Sequence, residues 1–277
     1  MCGESLGRVA RRALRIYLRP AVPARVRPIV TLTTDFGTRD YYVAAMKAVL
    51  VRDCPDVRLI DVTHEVPRHD ILCGSITLER AVDGFLPGTV HLAVVDPGVG
   101  TDRRILLAEL NCQFVVCPDN GLITWAWRRL GPGRAYALTW RPNVSTNTFH
   151  GRDVMAPAAA MIAGGRDLTE IARPIDDPVL LDVAPARDAS AGAQIIHIDT
   201  FGNATTNLSH ETMRHAVGSG FRVRGQYVGP LRRTYADVPP GTPLALIGSS
   251  GLLEIAVRDG SAAEQLGLKV GDVVTVE

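Results

Sequence analysis

The stretch Ile29–Arg52 reads IVTLTTDFGTRDYYVAAMKAVLVR. Its first six residues are apolar or β-branched, as in a buried strand. A short loop containing an aspartate and a glycine follows. Apolar residues then recur at helical spacing, with Asp40 placed to act as N-cap. Strand, acidic loop and helix make the first half of a βαβ unit, and the pattern repeats downstream. VRLIDV is a second strand and DILCGSITLERAVDGF a second helix; GTVHLAVV is a third strand. RILLAEL and QFVVC, joined by Asn111–Cys112, read as a hairpin. GLITWAWRRL and VMAPAAAMIAGG supply two more helices. This alternation predicts an α/β domain over residues 28–187 with a largely parallel sheet.

The texture changes after Arg187. The small, polar ARDASAGAQ reads as a linker, and IIHID, FRVRGQYVG, PLALIG, LLEIAVRDG and DVVTVE are short strands punctuated by Gly and Pro. They predict a smaller C-terminal β-barrel over residues 193–277, which the tail completes.

Of the 277 residues, 46% are hydrophobic and the formal net charge is +1. Such a chain can bury a core, and it lacks the bulk charge of a nucleic-acid-binding surface. The charge is uneven. Residues 1–27 hold seven arginines against Glu4, a net of +6, so the remainder carries −5. This start reads as a poorly ordered basic extension. It has no apolar core of signal-peptide length, and no later run of about 18 apolar residues could span a membrane. Five cysteines with no CxxC spacing make a disulfide framework or structural zinc site improbable, so the chain is read as cytoplasmic.

Apolar strands repeatedly run into an aspartate: Asp35, Asp61, Asp96, Asp119 and Asp199. Singly, each is most simply a turn or helix cap. As a set, acids at the carboxyl ends of strands mark the place where open α/β sheets bind ligands. Histidines join them in DVTHEVPRHD and TFHGRD. By residue type alone, Asp35, His64, His69, Asp96, Asp119 and His150 could ligate a metal. However, no HExxH or HD pair stands at familiar spacing, and no metal is expected.

The ordered series TLTTDFG, DVTHEVPRHDI, VVDPGVGTDRR, PDNGL, STNTFHGRDVMAPA, IDTFGNATTN and GSSGLLEIAVRDGSAAE resembles the S-adenosylmethionine (SAM) hydroxide adenosyltransferases, from Pro28 to Glu277. These are adenosine-forming SAM hydrolases related to fluorinase and chlorinase. The resemblance implies an N-terminal α/β domain joined to a C-terminal β-barrel. It also implies a homotrimer with SAM bound between subunits. SAM is then substrate rather than cofactor, and adenosine and L-methionine are the products. By motif, the catalytic set falls on Asp96, Arg103 and His150, with Arg104 adjoining. Asp35 matches the carboxylate on the ribose hydroxyls, and Asp199 the acid on the methionine ammonium. Phe201 and Asn203 match the adenine end, and Ser249 a contact to the methionine carboxylate. Gly151 lets the His150 loop approach the substrate, and His69 lies where the halogenases place a pocket tryptophan. Ser250 replaces an arginine of the halogenases. Asp96 and His150 stand where those enzymes have neutral side chains, which argues for water over halide. The other readings of these residues are a nucleoside- or SAM-binding module without turnover and a metal-dependent phosphohydrolase.

Overall fold

The computed structural model describes residues 27–131, 133–143, 146–183, 186, 192–215 and 220–277. The arginine-rich start up to residue 26, the boundary at 187 and most of the linker lie outside the described residues. The first body contains β1 (Ile29–Thr34), α1 (Tyr42–Asp53), β2 (Arg58–Thr63), α2 (Ile71–Asp83), β3 (Val90–Val94), β4 (Ile105–Leu110), β5 (Gln113–Pro118), α3 (Thr124–Leu130), β6 (Arg134–Leu138), α4 (Ala156–Ala163) and β7 (Ala172–Ile175). One π-turn, Gly151–Met155, leads into α4.

The sheet order is β2-β1-β3-β5-β4-β6-β7. β1 pairs in parallel with β2 on one side and β3 on the other, and β3 pairs in parallel with β5. The antiparallel pairs β5–β4, β4–β6 and β6–β7 turn only β4 and β7 against the common direction. The largely parallel sheet is as expected. Its apolar residues alternate between two cores. Val30, Leu32, Leu92 and Val94 meet Met46 and Leu50 of α1 and the alanines of α4, whereas Ala93, Val95 and Leu106 meet Leu78 of α2 and Ala126 of α3. Covering both faces is what permits β3 to be buried at every residue.

Because β1 connects outward to β2 and the chain then returns to β3, the winding reverses between β1 and β3. A crevice opens at the carboxyl ends of those two strands. The β4–β5 hairpin turns on Asn111 and Cys112, both at positive φ (47° and 60°), which suits the twist of a tight hairpin.

The second body contains β8 (Ala193–Ile198), β9 (Ala204–Ser209), β10 (Gly220–Val223), β11 (Gln226–Arg232), β12 (Pro243–Ile247), β13 (Leu252–Val257), α5 (Ala262–Leu266) and β14 (Val273–Val276). Its strands close as a barrel in the order β10-β11-β12-β13-β9-β8-β14 around Ile195, Leu208, Phe221, Ile255 and Val274. The C-terminal strand β14 completes the ring by pairing with both β10 and β8. Ile76 and Trp125 of the first body pack on Ile196 of the barrel.

The local expectations fail at three places. α1 starts at Tyr42 behind Tyr41 with no side-chain cap, so Asp40 is not its N-cap. Asp70 does cap α2, accepting from the Cys73 N–H. Asp61 does not end its strand: β2 continues to Thr63, and Asp61 pairs with Lys47 at 2.6 Å. The short strands β6, β7 and β9 and the helix α5 lack a strong periodic signal and were not foreseen.

A buried polar chain ties β1, β3 and β5 together. His91 is fully buried; its Nδ1 lies 2.8 Å from Thr31 Oγ1 and its Nε2 2.7 Å from Gln113 Oε1. Gln113 donates through its amide nitrogen to Val82 O, so its oxygen must accept from His91 Nε2–H, leaving Nδ1 to accept from Thr31. Burial drives the His91 pKa below its ordinary value, opposed in part by Gln113. A depressed folded pKa makes this contribution whole above pH about 6.5 and lost as pH falls through the folded value. His91→Ala is expected to cost about 2–4 kcal/mol. In thermal melts from pH 7.5 to 5, it should also flatten the acid loss of stability seen in the wild type.

Candidate active site

The crevice between β1 and β3 brings together Asp96, Arg103 and His150, the three residues that the motif series nominated. Asp96 stands two residues beyond β3, and Arg103 two residues before β4. The turn between them is held by Thr101, whose hydroxyl donates to Gly98 O at 2.7 Å. At Gly100 φ is +82°, and a Cβ there would lie 2.6 Å from Asn147 O. Only glycine lets this loop close on the loop that carries His150.

Arg103 donates to both oxygens of Asp96: Nε to Oδ1 at 2.6 Å, and Nη2 to Oδ2. Both side chains are at most 10% exposed. Arg103 Nη2 also lies 3.3 Å from His150 Nδ1. A guanidinium has no acceptor, so Nδ1 accepts and the neutral ring carries its proton on Nε2. Burial lowers the His150 pKa, and the Arg103 charge lowers it further. Arg104 points elsewhere, to Asp119 at 2.7 Å and Asp177 at 2.8 Å. Asp119 is thereby used to bind the chain segment at 177–179, whose Val179 N–H it also accepts.

The cavity beside this set measures ≈ 190 Å³ and is walled by Phe36, Tyr42, Val94, Val99, Thr148 and Phe149 along with Asp96, His150 and Gly151. Tyr42 and Phe36 both meet the Phe149 ring edge-on, at 5.2 and 5.9 Å. A Cβ on Gly151 would make ordinary van der Waals contact with Met46 Sδ, Phe149 and Val94 at 3.4–3.5 Å, so the turn is closely packed without requiring glycine there. Arg152 and Asp153 build the loop. Asp153 binds Arg152 at 2.6 Å and the Thr146 N–H at 2.8 Å. Those bonds, the Arg152 contact foremost, hold its pKa down at about 2.

Asp35 and Phe36 follow β1 directly. Asp35 Oδ2 accepts the backbone N–H of His69 at 2.9 Å, and His69 adopts φ +64°. His69 therefore meets Asp35 through its backbone, and its side chain lines neither of the two cavities described here. The Asp35 loop is also tied to His64, whose carbonyl accepts from Gly37 N–H at 2.7 Å and whose ring meets Thr34 Oγ1 at 2.9 Å.

Asp199, Phe201, Asn203 and Ser249 line a separate cavity of ≈ 530 Å³ on the barrel, together with Ser250, Arg233, Tyr235 and Glu254 and, from the first body, Arg80, Asp83 and Arg129. Asp199 Oδ1 accepts the N–H groups of Phe201 and Asn203, each at 2.9 Å, and Oδ2 accepts the Asn203 amide at 3.2 Å. Gly202, at φ +81°, packs where a Cβ would fall 2.1 Å from Ser261 Oγ, the cap of α5. Beside it, Phe201 keeps 75% of its surface exposed. Sequence reading did not single out Tyr235, Glu254 or Arg80. Glu254 alone left a sign, as the one acid inside the apolar LLEIAV. Among the described residues, no three His, Cys, Asp or Glu side chains gather as a metal site.

Residues 30–172 match the SAM hydroxide adenosyltransferase N-terminal domain, and residues 193–275 match the C-terminal domain of the same family. The chain belongs to the SAM hydroxide adenosyltransferase family. A relative from Thermus thermophilus named (R)-S-adenosyl-L-methionine hydrolase is 42% identical, over 89% of this chain and 98% of its own. One of the same name from Methanocaldococcus jannaschii is 33% identical, over 94% and 98%. A fluorinase from an Actinoplanes species is more distant, at 26% over 92% and 99%. Among solved structures, a conserved protein from Thermotoga maritima superposes with a TM-score of 0.84 at 33% identity, covering 90% of this chain and all of that one. A conserved protein from Thermus thermophilus gives 0.78 at 41%, covering 91% and 100%. Family membership and the two-body fold are thus as the motifs implied.

The family's reaction can be followed as adenosine release. Arg103→Lys keeps a charge but loses the two-pronged grip on Asp96, and is expected to lower kcat/KM on the order of 10²-fold. The depressed His150 pKa places the acid limb of the wild-type kcat/KM profile below pH about 6.5. An acid limb at or above that value would contradict the neutral, Arg103-bonded imidazole.

Proposed function

We propose that this chain hydrolyses S-adenosyl-L-methionine to adenosine and L-methionine. The observation that carries this reading is the Asp96–Arg103–His150 contact at the wall of a small, mainly apolar cavity at the β1/β3 crevice. Near full-length similarity to chains named (R)-S-adenosyl-L-methionine hydrolase supports it, and we infer the (R) form at the sulfonium as substrate.

The water oxygen bonds to C5′ as the C5′–sulfur bond breaks. Methionine leaves with the electron pair that neutralises its sulfonium, and one proton is released. A thioether is a good leaving group and needs no general acid. What must be supplied is orientation and a destination for the proton. Because Nδ1 of His150 is engaged by Arg103, its Nε2–H donates to the water oxygen and turns a lone pair toward C5′. Asp96, fixed at both oxygens by Arg103, accepts the water proton on a remaining lone pair and returns it to solvent. Water gains negative character as the sulfonium loses its positive charge. The opposite charges cancel in the transition state, which a poorly hydrated cavity favours. The same carboxylate repels halide, which favours water as the nucleophile. Asp35 takes the ribose hydroxyls. No step draws on a metal or a further cofactor.

At ≈ 190 Å³ the catalytic cavity falls below the range of about 300–1,000 Å³ usual for small-molecule sites, and it shares no lining residue with the barrel cavity. Exposed aromatics flank both, Tyr41 at 63% and Phe201 at 75%. We infer that a neighbouring copy's barrel completes each catalytic cavity, in a homotrimer as the family resemblance implies. Phe201 and Asn203 then hold adenine, while Asp199 and Ser249 border the methionine end.

Turnover of SAM in ¹⁸O-water is expected to place label in the adenosine 5′-hydroxyl, with the (R)-sulfonium epimer consumed in preference and full activity retained in EDTA. Binding of SAM without adenosine release would sink the proposal. His150→Ala should lower kcat on the order of 10²-fold. Co-expression of Asp96→Ala and Asn203→Ala chains tests the shared site. Random mixing leaves about one site in four with two intact halves, so about a quarter of the wild-type rate should return. No recovery would place the whole site within one chain.

A further inference from the structure

One buried histidine of the first body takes no part in the proposed chemistry. His64 stands one residue past β2, is 5% exposed, and has protein groups at both ring nitrogens. Nδ1 lies 2.9 Å from Thr34 Oγ1, and Nε2 lies 3.1 Å from Asp61 Oδ1. Asp61 Oδ2 in turn accepts from Lys47 of α1 at 2.6 Å. A carboxylate only accepts, so the neutral ring carries its proton on Nε2, and Nδ1 accepts from the Thr34 hydroxyl.

Backbone geometry creates this contact. In an unbroken strand, residues 61 and 64 would face opposite sides. The register between β1 and β2 slips at this point: Leu32 pairs with Asp61, but Thr33 pairs with Thr63. Val62 is thus an extra residue on β2, a bulge that turns His64 to the side of Asp61.

At its other end the chain of bonds reaches the loop that follows β1. Thr34 is fully buried, and its Oγ1 also accepts the Phe36 N–H at 3.3 Å, closing a turn around Asp35. The His64 carbonyl accepts from the Gly37 N–H at 2.7 Å, and the Val66 N–H donates to Thr34 O at 3.3 Å. Asp35 is therefore bracketed by neighbours that His64 holds, directly at Gly37 and through the Thr34 hydroxyl at Phe36. A carboxylate that receives two vicinal hydroxyls must be held at one angle, because a tilt that suits one bond spoils the other.

We propose that His64 is a positioning residue for ribose recognition: through Thr34 it fixes the backbone at Asp35 and so aims that carboxylate at the 2′- and 3′-hydroxyls of the substrate. This rests on the reading of the chain as a SAM hydrolase with Asp35 on the ribose. His64 itself lines neither cavity and acts only through the loop.

The test compares SAM with its 2′-deoxy analogue in wild type, H64A, H64N and T34V. H64A and T34V are each expected to lower kcat/KM for SAM on the order of 10-fold, mainly through KM, and kcat/KM for the 2′-deoxy analogue by less than about threefold. H64N keeps an acceptor near the Nδ1 position and should recover most of the SAM rate. T34V keeps the side-chain shape, and decides the matter if H64A does not fold. The double variant H64A/T34V should be no worse than either single one, since both break the same chain of bonds. Equal loss on both substrates, as a merely structural role would give, would overturn the assignment, and so would losses that multiply in the double variant. Binding of adenosine and 2′-deoxyadenosine, read by calorimetry, separates this from the parent reading. A wild type that releases no adenosine from SAM, yet prefers adenosine over 2′-deoxyadenosine in a His64- and Thr34-dependent way, refutes the hydrolase reading alone. Adenosine release with a 2′-hydroxyl preference unchanged in H64A and T34V refutes the positioning role alone.

Discussion

The two-pronged bond from Arg103 to Asp96 is the contact around which the crevice between β1 and β3 is arranged. A carboxylate this buried needs a cation, and a guanidinium this buried needs a carboxylate. Each is tolerable only because the other is present. The pair also dictates the state of His150. A further Arg103 donor, on Nη2, is directed at Nδ1, and burial, with the Arg103 charge added, pushes the His150 pKa down. One ion pair therefore sets the charge, tautomer and orientation of a three-residue group.

Backbone geometry makes that contact possible. Asp96 reaches the crevice because the winding of the sheet reverses between β1 and β3, leaving room at their carboxyl ends. The two loops meet closely because Gly100, at positive φ, carries no side chain where it meets Asn147. On the barrel, Gly202 does the same where the Asp199 loop meets Ser261. At these places a Cβ would occupy the space that a functional side chain or its support now fills.

A division of labour between the two bodies follows from their cavities. The first body's cavity is small, with mainly apolar walls, and bordered by one neutralised ion pair, which suits exclusion of bulk water around a cationic reacting centre. The barrel cavity is larger and is lined by charged side chains of both signs, which suits recognition of a polar group.

The α/β alternation, the hairpin at Asn111–Cys112 and the closing strand of the barrel were legible because each is written in local periodicity or turn chemistry. The seven ordered motifs likewise identified the family and nominated Asp96, Arg103 and His150. Tertiary structure decided what local pattern cannot hold. Arg103 and Arg104 are adjacent and chemically identical, yet they face opposite sides of an extended chain, one to Asp96 and the other to Asp119. Asp61 looked like another strand-end acid, but pairing with β1 carries β2 two residues past it. Glu254 was visible as an acid in an apolar strand, while its hydrogen-bond partner Tyr235 lies outside that strand and is brought to it only by folding. Sequence alone determined which chemistry-bearing residues exist and which elements carry them, because periodicity and turns act over a few residues. Only the folded chain decided which of those charges neutralise one another, because pairing depends on distances that the packing of strands and helices sets.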